Sequence, residues 1–147
     1  MLEEVAGNPA YAQCSVSMSF YLFRALEKVG LYEKTKDMWN LWREMLKNNM
    51  TTCVENNIDG RSDCHAWGSL ILYELPSVIL GVRPAAPGYE KISVAPVPGY
   101  LDWAEGDVVT PRGMVHVSWK KDEQGNLIVE HSIEEKEKKA YEDSYQI

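Results

Sequence analysis

The chain has 147 residues, enough for one ordinary domain or two small ones and for a sizeable core. Apolar residues make up 45% and charged residues 25%, a globular composition rather than a disordered one. Fifteen basic against 22 acidic residues leave a net charge of −7, which argues against a nucleic-acid partner, because phosphate-backbone readers need clustered positive charge.

Residues 13–82 carry a helical period. Val16, Phe20, Phe23, Leu26 and Val29 recur at spacings of three and four, with Arg24, Glu27 and Lys28 opposite, and Gly30 follows as a helix stop. Residues 32–49 place Met38, Leu41, Trp42, Met45 and Leu46 on one stripe and charged residues on the other. These two segments are expected to pack as an antiparallel helical hairpin. Residues 50–63 form a loop rich in turn formers: Asn56, Asn57, Asp59, Gly60 and Ser62. A third helix is expected over residues 64–80. It is apolar nearly all round, so it should be buried on most sides, with Pro76 kinking or dividing it.

Residues 81–88 (GVRPAAPG) read as a Pro/Gly-rich connector and a domain boundary. Beyond it the period falls to two. Strands are expected near 91–96, from 106 to a turn at 111–113, over 114–119, and over 127–133 after the hairpin loop DEQGN at 122–126. This pattern predicts part of an antiparallel β-sandwich, with Trp103 and Trp119 filling it. The division is therefore 1–82 helical, 83–135 β, and 136–147 a charged, frayed tail. Cysteines 14, 53 and 64 are odd in number and lack a C-x-x-C pair, so a disulfide framework is not expected and a reducing, cytoplasmic setting fits. The N-terminal MLEEVAGNPA has no basic head or apolar core of an export signal, though the signal of an exported longer parent would lie upstream. No apolar run nears the ~18 residues that a membrane span needs.

Chemistry concentrates in residues 50–68. Glu55 lies in a polar loop, and ten residues later His65 and Trp67 open the third helix. A carboxylate, an imidazole and an indole placed so can converge on a sugar pocket, the indole stacking on ring C–H groups and the polar groups binding hydroxyls. Arg61 adds a fork donor. Asp63 adds an acceptor and stands where the third helix needs an N-cap. Each has a plainer reading: Glu55 as a solvated loop carboxylate, His65 as a structural histidine, Trp67 as core. Cys53, Cys64 and His65 match no zinc spacing, and no metal or other cofactor is expected. Cys64 and His65 are adjacent on a helix and point apart, so they do not make a nucleophile–base pair. Trp39 and Trp42 read as packing. His116 and His131 have no partner nameable from the sequence.

The runs TTCVE (51–55), RSDCHAWGS (61–69), LYEL (72–75) and ILGVRPAAPGYEKISVAPVPG (79–99) together resemble the end of the bacterial α-L-rhamnosidases, glycoside hydrolase family 78. So do SFYLFRALEKVGLYEKT (19–35) and LDWAEGDVVTPRGMVHVSW (101–119). The resemblance implies an α+β chain: the last helices of an (α/α)6 barrel followed by an antiparallel β-sandwich portion. It implies inverting hydrolysis of terminal α-L-rhamnose, which needs two carboxyl groups about 6.5–9.5 Å apart. Glu55 matches the family's general base. His65 matches the histidine that lines the rhamnose pocket; Trp67, Arg61 and Asp63 join it as substrate-binding candidates on their own chemistry. The family's general acid lies far upstream, and no stretch here corresponds to it. The expectation is a fragment inactive alone, whose partner is a rhamnose-containing carbohydrate in the intact family. The alternatives are a sugar-binding accessory module and a structural remnant. Bared apolar helix faces would lead to self-association or require a missing N-terminal partner.

Overall fold

The structure is a computed structural model that describes residues 4, 8, 10–56 and 61–135. The turn formers Asn57, Asp59 and Gly60, most of the N-terminal MLEEVAGNPA and the tail at 136–147 lie outside the described residues.

Helix α1 spans Val16–Lys28. Its core stripe is Val16, Ser19, Phe23 and Leu26; Phe20 is only half-buried and Val29 is exposed. Gly30, at φ 74°, ends it as foreseen. The Gly30 N–H donates to the Glu27 carbonyl at 3.1 Å and the Leu31 N–H to the Leu26 carbonyl at 2.8 Å, the paired bonds that satisfy a helix C-terminus. The second segment departs from expectation by opening as a 3-10 helix, Tyr32–Trp39, before becoming helix α2, Asn40–Lys47. Thr35 gives the reason. Its hydroxyl donates to the Tyr32 carbonyl three residues back at 2.7 Å and accepts from Trp39 Nε1 at 3.1 Å, which holds the tighter winding. Trp42 and Met45 turn inward as expected, whereas Leu46 faces outward. Around Phe23 the rings of Tyr32, Trp39 and Trp42 stand edge-on, 5.5 to 6.4 Å away between centroids.

The third helical run starts as a 3-10 turn at Ala66–Leu70, continues as α3 at Ile71–Glu74 and widens into a π turn at Leu75–Ile79. Pro76 has no N–H to give, and the chain absorbs this by bonding the Leu80 N–H to the Leu75 carbonyl at 2.9 Å, one residue further back than in an α-helix. The expectation that this run is buried on most sides is corrected. Its Glu74, Val78 and Ile79 are buried, but Trp67, Leu72, Tyr73 and Leu75 are exposed.

The stretch read as a connector holds strand β1, Val82–Pro84, paired antiparallel with β2, Ile92–Val94. Gly81 makes the pairing feasible. Its φ is +74° and a Cβ there would fall 2.2 Å from the Ala95 carbonyl carbon, so only glycine lets residues 95–97 cross over it. Strands β3 (Trp103–Thr110), β4 (Gly113–Lys121) and β5 (Leu127–Glu135) form a second antiparallel sheet in the order β3-β4-β5. The DEQGN loop closes β4 onto β5. The Asp122 carboxylate accepts from the Gln124 and Asn126 backbone N–H groups and from Asn126 Nδ2, and the Asn126 side-chain bond is the main cause that lowers its pKa. Val115, Val117 and Trp119 of β4 are buried, and Trp119 Nε1 donates to the Ile79 carbonyl at 2.7 Å. Trp103, expected as filling, lies on the opposite face and is 68% exposed; strand alternation puts it there, in register with Lys120. His116, on that outer face, takes Asp107 as its partner at 2.8 Å. The described residues are therefore α+β, with helical runs followed by two small antiparallel sheets.

Candidate functional site

The site is built where residues 53–55 run antiparallel to residues 62–65. The His65 N–H donates to the Cys53 carbonyl and the Glu55 N–H to the Ser62 carbonyl, both at 2.8 Å, and Thr52 Oγ1 donates to the Asp63 carbonyl at 2.5 Å. Gly68 presses the next helical turn onto this ladder. A Cβ there would meet the Val54 carbonyl oxygen at 2.4 Å, so a larger residue would push the two apart. Trp42 Nε1 locks the turn from below by donating to the Gly68 carbonyl at 2.8 Å.

This geometry gathers four of the five residues singled out in the sequence. Glu55 Oε2 lies 3.4 Å from Arg61 Nε and 3.9 Å from His65 Nδ1. The His65 and Trp67 rings are tilted against each other with centroids 3.8 Å apart, and Trp67 Nε1 reaches the Glu55 backbone carbonyl at 3.4 Å. The Glu55 side chain is only 11% exposed. Its Oε2 is buried and accepts no hydrogen bond among the described residues. Such an oxygen carries a desolvation cost and keeps its lone pairs for another donor, the property wanted in a general base. Asp63 takes a different place: it is exposed, and it joins the ladder through its backbone carbonyl. It does not cap the helical run, whose first turn follows His65 with no side-chain cap.

Beside this wall lies a groove of about 300 Å³ lined by Phe20, Tyr21, Trp67 and Tyr73 together with Ser17 and Ser69. Trp67 belongs to both. Behind the groove is a buried charge cluster that the sequence reading did not single out. Glu74 is fully buried, with Arg24 Nη2 2.5 Å from both of its oxygens and the Tyr32 hydroxyl donating at 2.6 Å. Arg24 also pairs with Glu27, Glu27 with Arg83 of β1, and Arg83 Nε donates to the Ser77 carbonyl at 2.5 Å. Burial pushes the Glu74 carboxyl above the usual carboxylate range, although Tyr32 and Arg24 pull it down. Burial first, and then the bond to Glu74, raise the Tyr32 phenol, so it stays a donor. The signal was available: Glu74 is the lone acid in the apolar run 66–80, and an acid so placed needs a cation brought to it. Among the described residues no cluster of His, Cys, Asp and Glu could hold a metal ion, and Cys14, Cys53 and Cys64 are free thiols. No helix among the described residues is long and apolar enough to cross a membrane.

Residues 81–133 match the family described as the bacterial alpha-L-rhamnosidase C-terminal domain. A stretch of 48 residues is 42% identical to an alpha-L-rhamnosidase of Alteromonas sp. (strain LOR). The aligned stretch is 32% of this chain and 5% of that relative, so the chain spans a small part of the curated relative it matches. Glu55, His65 and Trp67 precede the family span.

Proposed function

We propose, from the premise that residues 81–133 are a C-terminal domain of the bacterial α-L-rhamnosidase family, that the chain is the closing part of an α-L-rhamnosidase-like glycoside hydrolase. In this reading residues 1–82 are the last helices of an (α/α)6 catalytic barrel, and residues 83–135 belong to the β-sandwich that follows. Glu55 is the general base that activates water. His65, Trp67 and Arg61 line the pocket for a terminal rhamnose, and Asp63 stands at its rim. The general acid comes from polypeptide outside these residues. The observation that carries the proposal is Glu55 Oε2, buried beside His65 and Arg61 yet accepting no hydrogen bond among the described residues.

The test has two arms. The purified chain should release nothing from an aryl α-L-rhamnoside, because loss of one member of an acid–base pair typically costs ~10²–10⁴-fold. Turnover by the isolated chain that disappears in Glu55→Gln would refute the missing acid. In a polypeptide that restores the upstream barrel, Glu55→Gln should lower kcat by about 10²–10⁴-fold with KM little changed. An unchanged kcat would remove Glu55 from the chemistry.

The half-exposed Trp67 ring against His65 supports a second reading, a module that holds sugar without cleaving it. Titration calorimetry with rhamnose separates the two. Heat that vanishes in Trp67→Ala, with no hydrolysis from the restored polypeptide, favours the binding module.

A further inference from the structure

We propose that Trp42 is a positioning residue for the base, holding Glu55 in place from beneath the Gly68 turn. The inference rests on the reading of Glu55 as the general base. Trp42 does not act by touching sugar: it is 5% exposed and does not line the groove. Its ring is fixed in the aromatic cluster, edge-on to Phe23 at 6.4 Å and to Trp39 at 5.9 Å. An indole has one donor and no acceptor, so a ring held in this way aims its N–H in one direction. That direction is the Gly68 carbonyl, 2.8 Å away in the core.

Gly68 passes the constraint to Glu55 along two short routes. In the first, the turn lies directly on the strand that carries the base. The Cβ that Gly68 lacks would stand 2.4 Å from the Val54 carbonyl oxygen and 3.0 Å from Cys53 Cβ, so a shift of Gly68 toward the strand displaces the residue before Glu55. In the second, the neighbours of Gly68 hold the base itself. The Gly68 N–H donates to the His65 carbonyl at 3.1 Å, and the His65 N–H donates to the Cys53 carbonyl at 2.8 Å. Trp67 Nε1 donates to the Glu55 carbonyl at 3.4 Å, and the Trp67 ring carries the His65 imidazole, whose Nδ1 lies 3.9 Å from Glu55 Oε2. That oxygen accepts no hydrogen bond among the described residues, so its aim depends on where the backbone beneath it is held. A misplacement of about 1 Å at a reacting group can cost about 10²-fold in rate.

Trp39 supplies the comparison. It is buried in the same cluster, but its indole N–H goes to Thr35 Oγ1 at 3.1 Å, within the 3-10 helix and not the wall. Trp42→Phe and Trp39→Phe each remove one buried indole N–H and keep a ring, so their losses of stability should be similar. In the 147-residue chain, heteronuclear NMR should show the amide signals of Glu55, His65 and Gly68 moving in Trp42→Phe and staying in place in Trp39→Phe. In the polypeptide that restores the upstream barrel, Trp42→Phe should lower kcat on an aryl α-L-rhamnoside about 10–100-fold with KM within about twofold, whereas Trp39→Phe should leave both within about twofold. Added to Glu55→Gln, Trp42→Phe should lower kcat no further, since no base is left to aim. Trp67→Phe, at a half-exposed position outside the core, removes the last bond of the second route and should lower kcat about 2–10-fold with the same dependence on Glu55.

The proposal is overturned, with the base reading intact, if Glu55→Gln removes turnover while Trp42→Phe lowers kcat no more than Trp39→Phe. It is also overturned if the Trp42→Phe or Trp67→Phe loss persists in full on Glu55→Gln, or if the Glu55 and His65 amides ignore Trp42→Phe. An unchanged kcat in Glu55→Gln alone overturns the base reading, and this proposal falls with it.

Discussion

Arg24→Met isolates the electrostatics of the buried cluster. The substitution keeps an unbranched side chain against the Phe20 and Tyr73 rings, which the guanidinium now covers at 5.7 and 4.8 Å, but removes the cation facing Glu74. The Glu74 carboxyl then has two routes. It can stay ionised with only the Tyr32 hydroxyl to help, and an uncompensated buried charge costs about 3–5 kcal/mol. Or it can take up a proton, which costs about 1.4 kcal/mol for each pH unit above the carboxyl's pKa in the unfolded chain. The molecule follows the cheaper route, so the penalty should be small near pH 5, rise by up to about 1.4 kcal/mol per pH unit, and level off at about 3–5 kcal/mol. The sign follows from linkage: the folded-state pKa lies above that of the unfolded chain, so this stability is complete below the unfolded value and is lost as pH rises through the folded one. The wild-type protein should show a shallower form of the same decline, because Arg24 pulls against burial. Urea unfolding followed by tryptophan fluorescence from pH 5 to 8 measures it. A penalty under about 1 kcal/mol that does not change with pH would refute the reasoning, as would an Arg24→Met/Glu74→Leu variant that keeps the slope.

Three further outcomes are expected. Gly81→Ala should cost more than about 3 kcal/mol or prevent folding, because it combines a positive φ with a Cβ driven into the Ala95 backbone; thermal unfolding reads it, and a loss under 1 kcal/mol would contradict the close crossing. Glu55→Gln should leave stability unchanged or raise it by up to about 1 kcal/mol, since it relieves a buried oxygen that accepts no hydrogen bond among the described residues; a clear loss in urea titration would mean that the carboxylate is structural. Trp103→Ser should fall within about 0.5 kcal/mol of wild type while Trp119→Ala costs about 3–5 kcal/mol; equal losses would put both rings in one core.

What could be read from the sequence followed from local rules. Gly30 as a helix stop, the DEQGN hairpin and the period-two strands depend on neighbours a few residues away, and each stands where expected. The convergence of Glu55 with His65 was also legible, because the turn formers between them let the chain fold back, and the ladder of residues 53–55 with 62–65 is what joins them. What failed depended on register and on distant partners. Trp103 was assigned inward from its type, yet its face is set by the pairing of Ala104 with Trp119, one residue along. Asp63 was read as a cap from position alone, but the ladder with residues 53–55 takes up its carbonyl and delays the helical start to Ala66. The exposure of Leu72 and Leu75 could not be foreseen from an all-round apolar pattern, which records what a segment can bury rather than what is there to cover it.

The close of the third helical run against the sheet has a consequence for how this kind of chain can be cut. Val115, Val117 and Trp119 share one core with Ile79 and Leu80 of that run and with Val82 of β1, and the Trp119 indole is anchored on the Ile79 carbonyl. Yet the span matched by the family begins at residue 81, two residues beyond that carbonyl. The matched span therefore begins inside a packed core rather than at its edge. Excised at its family boundary, the sheet would keep Val82 but lose Ile79, Leu80 and the carbonyl that holds Trp119. A recombination that carries the β half to a new protein keeps this packing complete only if the last turn of the preceding helix travels with it.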